Sequence, residues 1–376
     1  MKRIAILSET SLASGRQIVI GVSRFLDERG NWSAFQHSGP LGALTPSAIM
    51  QWEGDGMIAR IANKELLDMI LSKGVPTVDV LGNVAESPLP LVKCDDRAIG
   101  RTVARHFLES GYRNFGFIGL EDERWSMERQ QGFSEVVEAQ GYPVRMCLIN
   151  QSDPKPVNDN LGWVKDWLAS LRTPSALMVA SDQFAPIVFE ACHQLQLSIP
   201  EHMSVVGVDN DQPFCNLCRP RLSSVEPNHS RVGYRAVELL ERLMRGESME
   251  KRTIEVRQHT LHQRLSSGFM VVDDEALVKG LNYIREHAAM GVALDEVASA
   301  AGLSRSVLQR RFRQRFNRTV GEVILSEKLR ISRDLLAHTQ LSLAEVAERS
   351  GFNCQEYMTS IFRKHLQTTP RKFRGK

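Results

Sequence analysis

Leu294-Asp-Glu-Val-Ala-Ser-Ala-Ala-Gly302-Leu-Ser304 returns 49 positions later as Leu343-Ala-Glu-Val-Ala-Glu-Arg-Ser-Gly351-Phe-Asn353. In each copy apolar residues recur at helical spacing: Leu294, Val297, Ala298 and Ala301, then Leu343, Val346 and Ala347. A glycine suited to a left-handed helix end follows, and a basic helix restarts behind it. Helix, tight turn and second helix are the parts of a helix-turn-helix unit, whose second helix enters the major groove of DNA. The restarted helices are expected over about Ser304 to Phe316 and about Cys354 to Leu366.

Four-residue steps place Leu308, Phe312 and Phe316 inward, which leaves Ser306, Gln309, Arg310 and Arg313 on the opposite face. In the second helix Met358, Ile361 and Phe362 point in, while Gln355, Glu356, Thr359, Ser360 and Arg363 point out. Planar side chains such as Gln309 and Arg310 suit bidentate contacts to adenine and guanine, and Glu356 suits the amino group of cytosine. Thr359 and Ser360 discriminate bases less well. Any one of these residues alone reads equally as a solvated helix face; two copies on one chain favour DNA.

Charge divides the chain in the same way. From Glu275 to Lys376 there are 18 Lys and Arg against 10 Asp and Glu, whereas residues 1–274 carry 29 against 34, within a total of +3. A basic tail supplies phosphate affinity, and an acidic neighbour does not cling to DNA on its own account.

The segment from about Leu277 to Arg374, with Gly351-Phe352, Phe362-Arg363-Lys364 and the closing Thr369-Pro370-Arg371-Lys372-Phe373-Arg374, resembles the AraC/XylS class of bacterial transcription regulators. The resemblance implies two helix-turn-helix units joined by a long helix, here about Val320 to Thr339. Both reading helices then enter successive major grooves, about 34 Å apart. It also implies double-stranded DNA with tandem repeats, RNA polymerase and a second copy of the chain as partners. By position, its base-reading sites fall on Ser306, Gln309, Arg310, Gln355, Glu356 and Ser360.

Ahead of the tail, short runs rich in Val and Ile alternate with amphipathic helices. Ile4 to Leu7, Gly56 to Ile61, Pro76 to Leu81, Leu91 to Lys93, Phe115 to Leu120, Ala176 to Val179 and Val205 to Val208 read as buried strands, with helices such as Gln17 to Asp27 and Arg101 to Ser110 between them. Such alternation implies parallel sheets covered by helices on both faces, and the length implies two lobes. The fold expected is an α/β two-lobed sensor with doubly wound parallel sheets, followed by an all-α DNA-binding domain.

Ser175 to Asp211, with Ser181-Asp182-Gln183, Ile199-Pro200-Glu201 and Asp209-Asn210-Asp211, is similar to the sensor domain of LacI-type repressors, itself similar to type I periplasmic sugar-binding proteins. Leu222 to Glu226 and Gly233 to Leu240 match the crossover that returns the chain to the first lobe, and the resemblance runs from about Ile4 to Ser267. Arg16-Gln17, Trp52-Glu53-Gly54-Asp55-Gly56, and Arg124-Trp125 with Glu128-Arg129 match pentose-responsive regulators that join these two modules, which implies xylose or another pentose as effector.

A sugar needs paired polar partners for vicinal hydroxyls and a flat apolar surface for its C–H face, offered in the cleft at the carboxyl ends of the strands. The resemblance places Asp209 and Arg129 on hydroxyls and Trp125 as a stacking platform, with Asp182, Arg16 and Gln17 next. Each has a structural alternative: Asp182 as a helix cap, Arg129 in a salt bridge to Glu128 or Glu135, Trp125 in the core.

The expected partition is a sensor over 1–264, with lobes of about 1–93 plus 227–264 and 94–226, a linker over 265–274, and the reader over 275–376. Ser266-Ser267-Gly268 and Asp273-Asp274 interrupt the pattern there. Cys215-Asn-Leu-Cys218 has metal spacing, but no second pair lies nearby. Six scattered Cys suggest a reducing cytoplasm. The first apolar run stops at Leu7, too early for a signal peptide, and no 18-residue apolar stretch exists. Phosphate-loop, nucleophile-elbow and metalloprotease motifs are missing, so neither catalysis nor a cofactor is expected. The rival reading is a sugar-binding or sugar-modifying protein whose basic tail serves oligomerisation; another is the same regulator answering to a different ligand.

Overall fold

The computed structural model describes residues 1–36, 46–149, 157–247, 253–268, 274–316 and 318–374. It forms two compact units, Met1–Met270 and Val271–Lys376.

Twelve strands are described in the first unit: β1 (Lys2–Leu7), β2 (Trp32–Gln36), β3 (Gly56–Ala59), β4 (Thr77–Asp79), β5 (Leu91–Cys94), β6 (Phe115–Leu120), β7 (Val144–Ile149), β8 (Ser175–Val179), β9 (Met203–Val208), β10 (Ser223–Pro227), β11 (Thr253–Val256) and β12 (His259–His262). They make two six-stranded sheets, ordered β11-β5-β4-β3-β1-β2 and β12-β10-β9-β8-β6-β7. Every pairing is parallel except β10 with β12. Strands β3, β6, β8 and β9 are buried along their whole length, as parallel strands covered on both faces must be. All seven strands read from the sequence are present, ending within about two residues of where the apolar runs stop.

Each sheet reverses its winding once, between β1 and β3 and between β6 and β8. At such a point the loops leaving the strands diverge and open a crevice. The chain crosses from the first sheet to the second after β5, returns through the helix His229–Met244 after β10, and crosses again between β11 and β12.

That last crossing departs from the expected partition. The sequence assigns residues 259–262 to the first lobe, but β12 pairs with β10, Val225 facing Leu261. The second sheet also keeps residues expected in the linker. Ser266 and Ser267 are fully buried. Ser266 accepts from Val205 N–H (2.8 Å) through its carbonyl and from Ser223 N–H (2.8 Å) through its hydroxyl. Arg264 donates to the carbonyl of Leu222, and its backbone N–H to the hydroxyl of Ser223. Of the expected linker, 269–273 lie outside the described residues.

Two helices fix the floor of the crevice, Asp96–Glu109 and Arg124–Glu138. They cross where Gly100 meets Gly132: a Cβ on Gly100 would lie 2.1 Å from the Arg129 carbonyl oxygen, and one on Gly132 2.0 Å from that of Arg97. Only glycine allows this approach, which brings Arg129 beside Asp96.

The second unit is all helical: Glu275–His287, Leu294–Ala300, Arg305–Phe316, Val320–His338, Leu343–Arg349, Gln355–Leu366 and Pro370–Arg374, with a short turn of tighter helix at Ala288–Met290. One core gathers Val297, Leu308 and Phe312 with Val320 and Ile324; the other gathers Val346, Met358 and Phe362 with Leu329 and Leu336. The long helix Val320–His338 therefore serves both. Its start is a capping box of Thr319 and Glu322, and Ser342 with Glu345 repeats the device at Leu343–Arg349. At the matching start in the first copy Ala293 offers no side-chain acceptor, and Glu296 reaching back to its N–H (2.7 Å) is the half that remains.

Candidate functional site

A cavity of about 50 Å³ lies between the two sheets of the first unit. The first lobe lines it with Ser14, Ile18, Arg60, Leu81, Cys94 and His229, the second with Trp125, Arg129, Ser181, Gln183 and Asp209. Asp96 sits at the join.

Asp209 follows β9 with φ of 107°, and Asn210 follows with φ of 49°. A non-glycine backbone in this region is strained, and it persists only where neighbours over-determine it. Here Asp209 N–H donates to the Val225 carbonyl (2.8 Å), Asn210 N–H to the Ser224 hydroxyl (2.9 Å) and Asp211 N–H to the Asp182 carboxylate (2.8 Å). The turn drives the Asp209 carboxylate into the cavity. It accepts from the Ser181 hydroxyl (2.9 Å) and lies 3.4 Å from His229 Nε2 and 3.8 Å from Arg129 Nη2. Burial alone would raise its pKa; Arg129, His229 and Ser181 outweigh it and hold the carboxyl below its usual value.

Arg129 is buried, and Asp96 is its nearest carboxylate at 2.8 Å from Nε, rather than Glu128 or Glu135. It also donates to the Ala180 carbonyl (2.6 Å). Burial disfavours its charge, but Asp96 and Asp209 overcome this and raise its pKa. Asp96 itself is pushed up by burial, against the pull of Arg129 and Lys93. The guanidinium lies over the Trp125 ring, 4.8 Å from its centroid, so one face of the indole supports Arg129. Trp125 Nε1–H donates to Glu123 (2.8 Å), which fixes the ring. Arg60, at the end of β3, donates to the Ser14 hydroxyl (2.8 Å).

The other three residues singled out from the sequence lie behind this wall. Asp182 is 1% exposed and outside the cavity lining, where it accepts from Ser224, Asp211 N–H and Cys215 and so braces the Asp209 turn. Burial, reinforced by Asp209, pushes its pKa well up. Arg16 spans the lobes, its Nη2 gripping both oxygens of Asp211 (2.9 and 3.0 Å) while the Ala13 N–H donates to the same carboxylate (3.1 Å). Gln17 is half-buried and does not line the cavity. The polar cavity residues that sequence reasoning missed are Ser14, Arg60, Lys93, Cys94, Asp96, Ser181, Gln183 and His229. Ser14, Arg60, the Lys93–Asp96 segment and His229 lie far apart along the chain in no motif, whereas Ser181 and Gln183 flank Asp182 in the stretch that carries the resemblance. Only the strand ends just before Arg60 and Ser181 hinted at their position.

In the second unit the inward residues are as expected: Leu308, Phe312, Met358 and Phe362 are fully buried, Ile361 nearly so, and Phe316 half-buried. Ser306, Arg310, Arg313, Glu356, Ser360 and Arg363 are exposed, and Gln309, Gln355 and Thr359 are half-exposed. Gln355, Glu356, Thr359, Ser360, Arg363 and Lys364 line one open groove. Arg310 and Arg363 form no ion pair with another described residue.

A sugar-type cleft and a doubled helix-turn-helix on one chain define a ligand-responsive transcription regulator. Comparison with known proteins agrees. The family description "periplasmic binding protein-like domain" matches residues 104–267, and "helix-turn-helix domain" matches 297–376. The xylose operon regulatory protein of Escherichia coli strain K12 is 31% identical over 99% of this chain and 96% of its own length; that of Haemophilus influenzae is 28% identical over 99% and 98%. A structure described as the xylose-binding transcription activator xylR superposes with a TM-score of 0.77 and 30% identity, covering 100% of this chain and 98% of that one. A cellobiose complex of the regulator CelR, 22% identical with a TM-score of 0.59 over 70% of this chain and 84% of its own, shares the sensor fold. The chain belongs to the family of the xylose operon regulatory proteins, which are sugar-responsive transcription regulators and not enzymes. No helix among the described residues is long and apolar enough to cross a membrane.

Proposed function

We propose that this regulator is a cytoplasmic activator whose effector is xylose or a closely related aldopentose. The observation that carries the reading is the joint presence of Asp209, Arg129 and Trp125 on the wall of one small cavity. Asp209 accepts from vicinal hydroxyls, Arg129 and Arg60 donate to others, and the Trp125 indole takes the C–H face of the ring. One water needs about 10–15 Å³ of such space, so the cavity as it stands has room for about three to five hydroxyl-sized groups. Relatives named for the xylose operon support the pentose. Asp182 and Arg16 act from behind, Asp182 by holding the Asp209 turn and Arg16 by tying the lobes through Asp211.

The reader proposed is a homodimer on tandem operator repeats, with Ser306, Gln309, Arg310, Arg313, Gln355, Glu356, Thr359, Ser360 and Arg363 facing the major grooves, and RNA polymerase as its protein partner. The sugar acts by binding the closed sensor better than the open one, since a ligand with equal affinity for both shifts nothing.

Thermal unfolding of the full chain against aldopentoses and aldohexoses tests the ligand. At about 100 times its dissociation constant a ligand adds about 2.7 kcal/mol to the folded state. Stabilisation by xylose, together with xylose-dependent operator binding, is expected; stabilisation by hexoses alone would remove the pentose assignment.

A further inference from the structure

The turn that aims Asp209 into the cavity carries a second side chain that does not line it. The Asn210 amide oxygen accepts from Arg264 Nη2, and its amide N–H donates to Glu226 at 3.3 Å. Both partners belong to the closing edge of the second sheet: Glu226 sits on β10 opposite Thr260 of β12, and Arg264 follows β12 by two residues. Arg264 is fastened twice more, Nη1 to the Leu222 carbonyl (2.7 Å) and the backbone N–H to the Ser223 hydroxyl (2.8 Å). A hydrogen bond from His262 (2.6 Å), with smaller help from Asn210 and Arg264, outweighs partial burial and holds the Glu226 carboxyl below its usual value. We propose that Asn210 and Arg264 are positioning residues that pass the sugar response from the effector turn to the segment leading into the DNA reader.

The backbone of the turn takes its hold from the Val225 carbonyl, the Ser224 hydroxyl and the Asp182 carboxylate, none of which involves the Asn210 side chain. That side chain is therefore spare for a task other than keeping the turn in shape. Strain at Asp209, with φ of 107°, persists only while its neighbours over-determine it, so a ligand that engages the carboxylate shifts the balance of the turn. Asn210 is the next residue along and moves with it. The planar guanidinium of Arg264 holds an amide oxygen and a backbone carbonyl at one fixed spacing, which a flexible ammonium would not. Ser266 and Ser267 are anchored to the body of the second lobe, through Val205, Ser223 and His106, whereas Arg264 reaches the turn itself. From there the chain runs through Gly268 toward the reader. This role rests on the effector site proposed at Asp209 and adds the point at which its response leaves the cleft.

The test uses the full chain and a duplex selected from random sequence for binding by the wild type in the presence of xylose. Gel-shift titration with and without saturating xylose gives the factor by which the sugar changes operator affinity, in wild type, Asn210→Gly, Arg264→Met and the double variant. Glycine accepts φ of 49° freely, so Asn210→Gly removes the amide and leaves the turn in place. Xylose should still bind each variant in calorimetric titration, while the factor falls about 2- to 30-fold in either single variant. The double variant should lose no more than a single one, because both changes cut the same tie; two unrelated structural injuries would add. A wild-type response kept in full by either single variant, additive losses in the double, or loss of xylose binding in both single variants would overturn the inference and leave the sugar-responsive regulator standing. A wild type whose operator affinity ignores every aldopentose would overturn the effector reading and this role with it.

Discussion

Replacing Arg129 by Met keeps most of the side chain's volume and its packing on Trp125 while removing the charge. Asp96 and Asp209 are then left as carboxylates without their cation, in a pair whose side chains are 4% and 5% exposed for Arg129 and Asp96. Removing one partner of a buried pair costs about 3–5 kcal/mol. For a unit of this size each kcal/mol lowers the melting temperature by about 2–4 °C, so the sensor transition should fall by about 6–20 °C in calorimetry. The pH dependence follows from the same groups. In the wild type the lowered pKa of Asp209 stabilises the fold above the ordinary carboxylate range, and that contribution is lost as pH falls through its folded value. Without Arg129 both buried carboxyls bind protons more readily in the folded than in the unfolded state. Stability of the variant therefore falls as pH rises, and its deficit should be smaller in mild acid than in mild alkali. Asp96→Asn in the Arg129→Met background should restore part of the loss, a coupling of about 0.5–3 kcal/mol. A melting point within about 2 °C of wild type, or strictly additive losses in the double variant, would refute the reasoning.

Three further outcomes are expected. Asp209→Asn preserves shape but removes a charged acceptor, so effector affinity by calorimetric titration should drop about 10- to 100-fold. Arg310→Ala should weaken operator binding by about 1–3 kcal/mol in gel-shift titration while sugar affinity stays unchanged; an unaffected operator affinity would remove Arg310 from the reading face. The two repeat glycines should differ. Gly302 has φ of 63° with nothing near a Cβ, so Gly302→Ala costs about 1–2 kcal/mol. In Gly351→Ala the added Cβ would meet the Ala288 carbonyl oxygen at 2.0 Å, for about 1–3 kcal/mol more by thermal denaturation.

What could be read from the sequence follows what periodicity can carry. Strands buried on both faces, such as β6 and β9, appear as unbroken apolar runs, and the reader helices show their faces at steps of three and four. β11 and β12 did not declare themselves. Thr253–Val256 and His259–His262 are half-exposed sheet edges whose polar residues dilute the pattern. The site divides likewise. Asp209, Arg129 and Trp125 meet at the cavity, while Arg60, Cys94 and His229 reach it only because the lobes face one another, an adjacency that no spacing along the chain encodes. Asp182 and Arg16 lie in the right loops, but their side chains turn to Ser224 and Asp211.

The way β12 and Ser266 close the second sheet also sets where this sensor can be rejoined to a foreign reader. A chimera cut at 264 would strip Ser266 from the N–H groups of Val205 and Ser223 and leave both buried without acceptors, at about 1–3 kcal/mol each. Ser267 would go with it, taking its contact with His106. A graft made after Gly268 keeps those partners, so the functional joint between the modules falls a few residues beyond the place where the last strand ends.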